Sequence, residues 1–262
     1  MPRVLLLRAW LDTSSLPGGQ GYYSPLEGGC ATLIPIPEEH INRGDYPREA
    51  LDPRHYRSPC SGRSLDNYMP VGRVWLLHND PRLDLEPGFY TDYYAPQGRL
   101  PRSPERSLRP GDLLLFAAGL AQYPQGFWER RRRLAEILRA FREARERGRL
   151  GVYLIGGLRV KKTIDVSRTG WERALELAPV LRYSPHLYRD RDRPVAVVGE
   201  PVAIGGPVPL ARPSGGRLCG EPSPWLMELL GQQAAAAFLR QNCRRARVVT
   251  LGREKLAELG LG

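Results

Sequence analysis

Apolar residues in this 262-residue chain recur in short runs of strand length: Val4–Leu7, Ala31–Ile36, Val74–Leu77, Leu113–Ala118, Val152–Ile155 with Leu158–Val166, Val195–Val198, Val202–Ile204 and Val248–Leu251. Most are rich in Val, Ile and Leu and end at Gly, Pro or Asp, which predicts strands. LRVKKTIDV alternates apolar and polar positions, the pattern of a strand with one wet face. Three segments instead carry helical spacing. In Trp128–Arg147, Leu134, Ile137, Leu138 and Phe141 fall at i, i+3, i+4 and i+7, and Gly148 is a natural stop. Trp171–Leu181 reads as an amphipathic helix that Pro179 ends early. Pro224–Leu239 has Ser223 as N-cap and Pro224 at the first helical position. Strands cluster with helices set between them, without βαβα alternation. The expected fold is therefore a single α+β domain over residues 1–262, with a mixed or partly closed sheet and about three helices.

Residues 38–70 and 86–110 are rich in Pro and Arg and lack periodicity. No internal repeat and no shift in composition marks a domain boundary. The first apolar run is too short for a signal peptide or a membrane span. Four cysteines (Cys30, Cys60, Cys219, Cys243) with no C-x-x-C pair argue against a zinc ribbon and for a reducing, cytoplasmic setting, with one disulfide still open.

Charge changes the picture most. The net charge is +11, and all but three of the 39 basic residues are arginine. Arginine pairs bidentately with phosphate and stacks on bases, so the charge implies a polyanion partner, foremost DNA, RNA or a nucleotide. A GC-rich genome or a thermophile's surface gives the same excess. The run Glu129–Arg133 sets Arg130, Arg131, Arg132 and Arg133 in the first turn of the predicted helix, the end that disfavours cations. A phosphate contact would offset that cost, and Lys161 and Lys162 offer two more phosphate contacts. The alternative is a solvated face, with Arg132 paired to Glu136.

Two stretches carry candidate chemistry. In LLHNDPRLD a strand ends at His78, followed by Asp80-Pro81. A histidine beside a carboxylate is an acid/base pair or half a metal site, and Asp-Pro is also an ordinary turn. Between Arg8 and Pro37, Asp12, Thr13, Ser14 and Ser15 precede GGQG, whose backbone N–H groups can approach a phosphate. There Tyr22 and Tyr23 either stack on bases or fold into the core. His186, with Ser184, Tyr188 and Asp190, offers a second polar cluster. Walker, Rossmann, serine-hydrolase, zinc-protease and deaminase signatures are absent, and the cofactor is unknown from the sequence.

RAWLDTSSLPGGQGYYSPLEGGCATLIPIP, HNDPRL, PGDLLLFAAG, YLIGGLRVKKTIDV and SPWLMEL together resemble, in that order, the third of the nucleotide modification associated domain families. The resemblance implies association with DNA or RNA base modification. Carried over by position, it marks Arg8, Asp12, Ser14, Ser24, His78, Asp80, His186 and Trp225. The chain departs from the family pattern at Ala9 and Trp10, and its arginine-rich segment at about 124–149 looks like a helical insertion. PGDLLLF with GVYLIGGLRV is also similar to the paired strands of PUA-like barrels.

Together these features lead to an enzyme acting on a base or nucleotide. Asp12, His78 and Asp80 would move protons. Arg8, Ser14, Tyr22, Ser24, His186 and Trp225 would bind substrate, with no resident metal expected. A non-catalytic reader of modified or structured nucleic acid is the first alternative, and a metal-dependent nuclease using Asp12, Asp80 and His78 is the second.

Overall fold

The computed structural model describes residues 2–9, 21–37, 52–72, 76–94, 98, 100, 108–189, 192–215, 217–240, 247–250, 253–258 and 260–261. The centre of the fold is a mixed sheet built on three strands: β1 (Arg3–Arg8), β7 (Leu113–Ala121) and β8 (Leu150–Asp165). β1 runs parallel to β7, and β8 lies antiparallel on the other edge of β7. The run VLLL is continuously apolar because both of its faces are covered. Val4 and Leu6 pack into one core, Leu5 and Leu7 into another, and all four have no exposed surface. Burial of that kind contributes about 1.5–3 kcal/mol per side chain.

The 16-residue β8 replaces the two strands expected from its sequence. Its free edge is shared: β10 (Val208–Ser214) pairs beside Val152–Leu154, and β9 (Val195–Val202) pairs beside Gly157–Asp165. The diglycine at the crossing is steric in origin, because a Cβ on Gly157 would sit 2.6 Å from the Leu114 carbonyl oxygen. β6 (Gly88–Asp92) continues the sheet beyond β9, and β11 (Arg217–Pro222) beyond β10. β12 (Arg247–Thr250) pairs with the far edge of β1, and β2 (Ser24–Glu27) continues along β7, pairing also with β3 (Cys30–Ala31). The ten-stranded sheet stays open, so the resemblance to a closed barrel does not carry through. A separate pair joins β4 (Ile36–Pro37) to β5 (Leu77–His78), leaving most of the expected strand Ala31–Ile36 irregular.

Five α-helices are present among the described residues, more than the three expected. α1 (Leu134–Glu146) begins at the first residue of its apolar spacing, six residues after the expected start at Trp128. Phe127–Glu129 forms one 3-10 turn, and Arg133, in extended backbone, caps the helix. Its N–H donates to the Glu136 carboxylate at 2.9 Å. Arg130–Arg133 thus precede the helix and do not occupy its first turn, and Glu136 offsets part of the charge at its N-terminus through Arg132 and the Arg133 N–H. α2 (Val166–Leu177) stops before Pro179, as expected. The segment read as one helix from Pro224 divides at Gly231 (φ 74°) into α3 (Pro224–Leu230) and α4 (Gln232–Arg240); α5 (Arg253–Glu258) follows. α3, α4 and α5 supply Leu226, Leu229, Phe238 and Leu256 to the core on one sheet face, and α1 packs Ile137 and Phe141 onto a second core with Tyr22, Tyr23 and Trp128.

No helix among the described residues is long and apolar enough to cross a membrane. Cys30 and Cys60 form a disulfide that ties the β2–β3 hairpin to the segment around Cys60, and Cys219 is also disulfide-bonded. Cys243 lies outside the described residues.

Candidate active site

His78 ends β5, held by the backbone pairing of β5 with Ile36. The chain then turns through the cis Asp80–Pro81 peptide, and Arg82 exchanges both backbone hydrogen bonds with Phe89 of β6. That return brings the Asp80 carboxyl against Thr91. The Thr91 N–H donates to both carboxyl oxygens, at 2.9 and 3.1 Å, and the Thr91 hydroxyl donates to Oδ2. The buried Ser184 hydroxyl lies 3.1 Å from the Thr91 hydroxyl, which fixes the start of the 3-10 turn Pro185–Tyr188. This turn delivers His186. His78 and His186 meet edge to face, with ring centroids 4.9 Å apart.

One donor atom from each of His78, Asp80 and His186 lies within 4.8 Å of the other two. They line a cleft of about 340 Å3 with Ala9, Ile36, Tyr90, Thr91, Asp92, Tyr93 and Gly98. Burial pushes the Asp80 carboxyl up to about 8, against the lowering effect of the Thr91 hydrogen bonds; the neighbouring Asp92 adds to the rise, and Arg82 opposes it. A carboxyl held in that range can carry or release a proton near neutral pH. His186 Nδ1 donates to the Asp192 carboxylate at 2.8 Å, and the Tyr93 hydroxyl lies 3.5 Å from the same nitrogen. Arg189 Nη2 donates to His78 Nδ1 at 3.1 Å, and its Nη1 is 3.6 Å from Asp192. Asp92 is in turn held by the Tyr90 hydroxyl at 2.5 Å and the Tyr93 N–H at 2.7 Å.

Two residues expected to move protons, His78 and Asp80, thus come together, and His186 joins them rather than forming a cluster of its own. Tyr188 instead donates to the Arg182 carbonyl. Asp12, Ser14 and Asp190 lie outside the described residues. Arg8, next to the pocket-lining Ala9, is buried with its guanidinium 5.0 Å above the Tyr23 ring. Ser24 is fully buried and accepts the Ile34 N–H at 3.0 Å. Tyr22 and Tyr23 are core residues with no exposed surface, so Tyr22 is closed to base stacking. Trp225 packs among α3–α5, away from the pocket.

Among the basic residues, Arg130, Arg131 and Arg133 are exposed. Arg131 donates to the Pro70 carbonyl, while Arg132 donates to the Phe127 carbonyl and pairs with Glu136 at 3.7 Å. Lys161 pairs with Glu200, and Lys162 donates to the Leu177 carbonyl. Sequence reasoning missed Thr91, Asp92, Tyr93, Arg189 and Asp192. The polar TDYY that closes β6 was the available signal for the first three.

No curated protein and no solved structure matches the chain. A family model described as nucleotide modification associated domain 3 matches residues 3–218. That span holds every pocket-lining residue and ends inside β11, before α3. With most of its length and the whole pocket inside the match, the chain belongs to the nucleotide modification associated domain 3 family.

Proposed function

We propose that the chain is an enzyme that modifies a base, in a nucleotide or a nucleic acid, in the pocket of His78, Asp80 and His186. The observation that carries this reading is the convergence of two imidazoles and a buried carboxyl in one cleft. Membership of a family described as nucleotide modification associated supports a base or nucleotide as the substrate class. Asp80, with its raised pKa, and His78 are the groups that take up and return protons. His186, oriented by Asp192, is the third reacting group. A base inside a duplex would have to leave its stack to reach this cleft. Arg130 and Arg133 are exposed and would meet phosphates, consistent with the net charge of +11.

The test is mass spectrometry of DNA and RNA nucleosides from a deletion strain, complemented with the wild-type gene, His78→Ala or Asp80→Asn. A nucleoside lost on deletion should return with the wild-type gene only. A nucleoside profile unchanged by deletion sinks the proposal.

A further inference from the structure

We propose that His78, Asp80 and His186 bind one divalent first-row transition metal ion of the imidazole-accepting class, such as zinc or iron(II). The argument begins with spacing. Bonds of about 2.0–2.2 Å put the ligand atoms of a shared ion roughly 3–3.5 Å apart; the three donor atoms here already lie within 4.8 Å of one another, and side-chain rotations would have to draw them in. Chemistry narrows the choice. Two imidazoles and one carboxylate suit transition metals, whereas magnesium and calcium take oxygen donors. Three protein ligands also leave coordination positions for water or substrate, as in catalytic rather than structural sites.

The surroundings give a second, independent reason. His186 donates from Nδ1 to a buried aspartate, Asp192. That bond leaves the proton on Nδ1 and the lone pair on Nε2, the atom through which a metal would bind, and a carboxylate behind a histidine is how metal-binding imidazoles are commonly held. Asp80 is buried, and among the described residues its hydrogen bonds come from Thr91. The pocket also holds Asp92, a second carboxyl beside Asp80. Arg189 now donates to His78 Nδ1. Its guanidinium has a second partner in Asp192, 3.6 Å from Nη1, to which it can turn when His78 takes a metal. The metal site rests on the proposed reactive pocket and changes two roles in it: with an ion bound, His78 and Asp80 would hold the metal rather than carry protons, and the metal would supply an activated water; metal binding itself does not depend on which substrate enters.

The experiment uses the full chain, dialysed against a chelator and titrated with Zn2+ by calorimetry and with Co2+ by visible absorption. The expected result is one equivalent bound, with cobalt bands characteristic of nitrogen and oxygen ligands. His78→Ala and His186→Ala should lose about 100-fold or more in affinity, and Asp192→Asn about 10–100-fold. Circular dichroism checks that each variant is folded, and His186→Gln replaces the alanine variant if that one is not. The proposal is overturned if the wild type binds neither ion stoichiometrically, or if folded histidine variants bind as the wild type does. Stoichiometric binding together with an unchanged nucleoside profile would keep the metal site and remove the base-modifying reading.

Discussion

Replacing Asp112 by asparagine should cost more than any surface substitution in the chain. Asp112 opens β7 and is 4% exposed. Its carboxylate accepts the Arg3 N–H at 2.8 Å, Arg3 Nε at 3.0 Å, Arg3 Nη2 at 2.7 Å and the Arg109 N–H at 2.8 Å. The Arg3 side chain is itself only 13% exposed. Removing one partner of a buried ion pair costs about 3–5 kcal/mol. Asparagine keeps one carbonyl oxygen, which puts Asp112→Asn near 3 kcal/mol and Asp112→Ala near 5 kcal/mol on that scale. At about 2–4 °C per kcal/mol for a chain of this size, Asp112→Asn should lower Tm by roughly 6–12 °C. Urea unfolding gives the free energy, and calorimetry gives Tm. The double variant Arg3→Met/Asp112→Leu is the sharper measurement. Paired apolar replacement should recover part of the loss, because both charges leave together while the Arg3 and Arg109 N–H groups still lose their acceptor. Losses that simply add across the two sites, or an Asp112→Asn loss below about 1 kcal/mol, would refute the reasoning.

Three further outcomes are expected. Cys30→Ala/Cys60→Ala opens a loop of sequence separation 30 and should lower unfolding free energy by about 3.6 kcal/mol on the loop-entropy scale, read by urea titration; an unchanged midpoint counts against that cross-link. Burial pushes the Tyr22 phenol well above its ordinary 10.0, and its hydroxyl donates to the Tyr68 carbonyl at 2.7 Å. The folded state therefore holds this proton after the unfolded chain has lost it, so stability is full below pH 10 and falls as pH rises above it. Tyr22→Phe should reduce that alkaline slope, and absorbance titration of the phenolates with parallel circular dichroism tests it. Gly119→Ala places a Cβ 2.6 Å from the ring of the fully buried Tyr23 and should destabilise by about 1–3 kcal/mol in thermal unfolding; a neutral result would show that the ring can move.

Much of the sheet was legible because its strands are buried on both faces and so read as unbroken apolar runs, as in VLLL and LLLFAAGLA. The half-site at His78 and Asp80 was legible for a local reason: a strand end followed by Asp-Pro is a polar turn at a known place. His186 was readable only as a separate cluster, since nothing local tells that Ser184 reaches Thr91. Its true partner, Asp192, and the neighbouring Arg189 sit in YRDRDR, which looks like any solvated loop. The arginine run misled in the other direction. The helix was expected from Trp128, but Trp128, 1% exposed among Tyr22, Tyr68 and Tyr123, anchors a 3-10 turn, and the helix starts at Leu134, where the apolar spacing starts. The Cys30–Cys60 pairing followed from no spacing rule, because tertiary folding alone brings the two together.

The place of β1 in the sheet has a consequence for synthesis on the ribosome. Arg3 and its partner Asp112 are 109 residues apart, and β12, on the other side of β1, is made later still. At roughly 5–20 residues per second, VLLL waits about 5–20 s for β7 alone. Throughout that interval a strand apolar on both faces has both hydrogen-bonding edges open, the form most prone to pairing with another nascent chain. Its chaperone demand should therefore be set by the delay before β7 emerges, and moving the β1 sequence next to β7 by circular permutation should lower it.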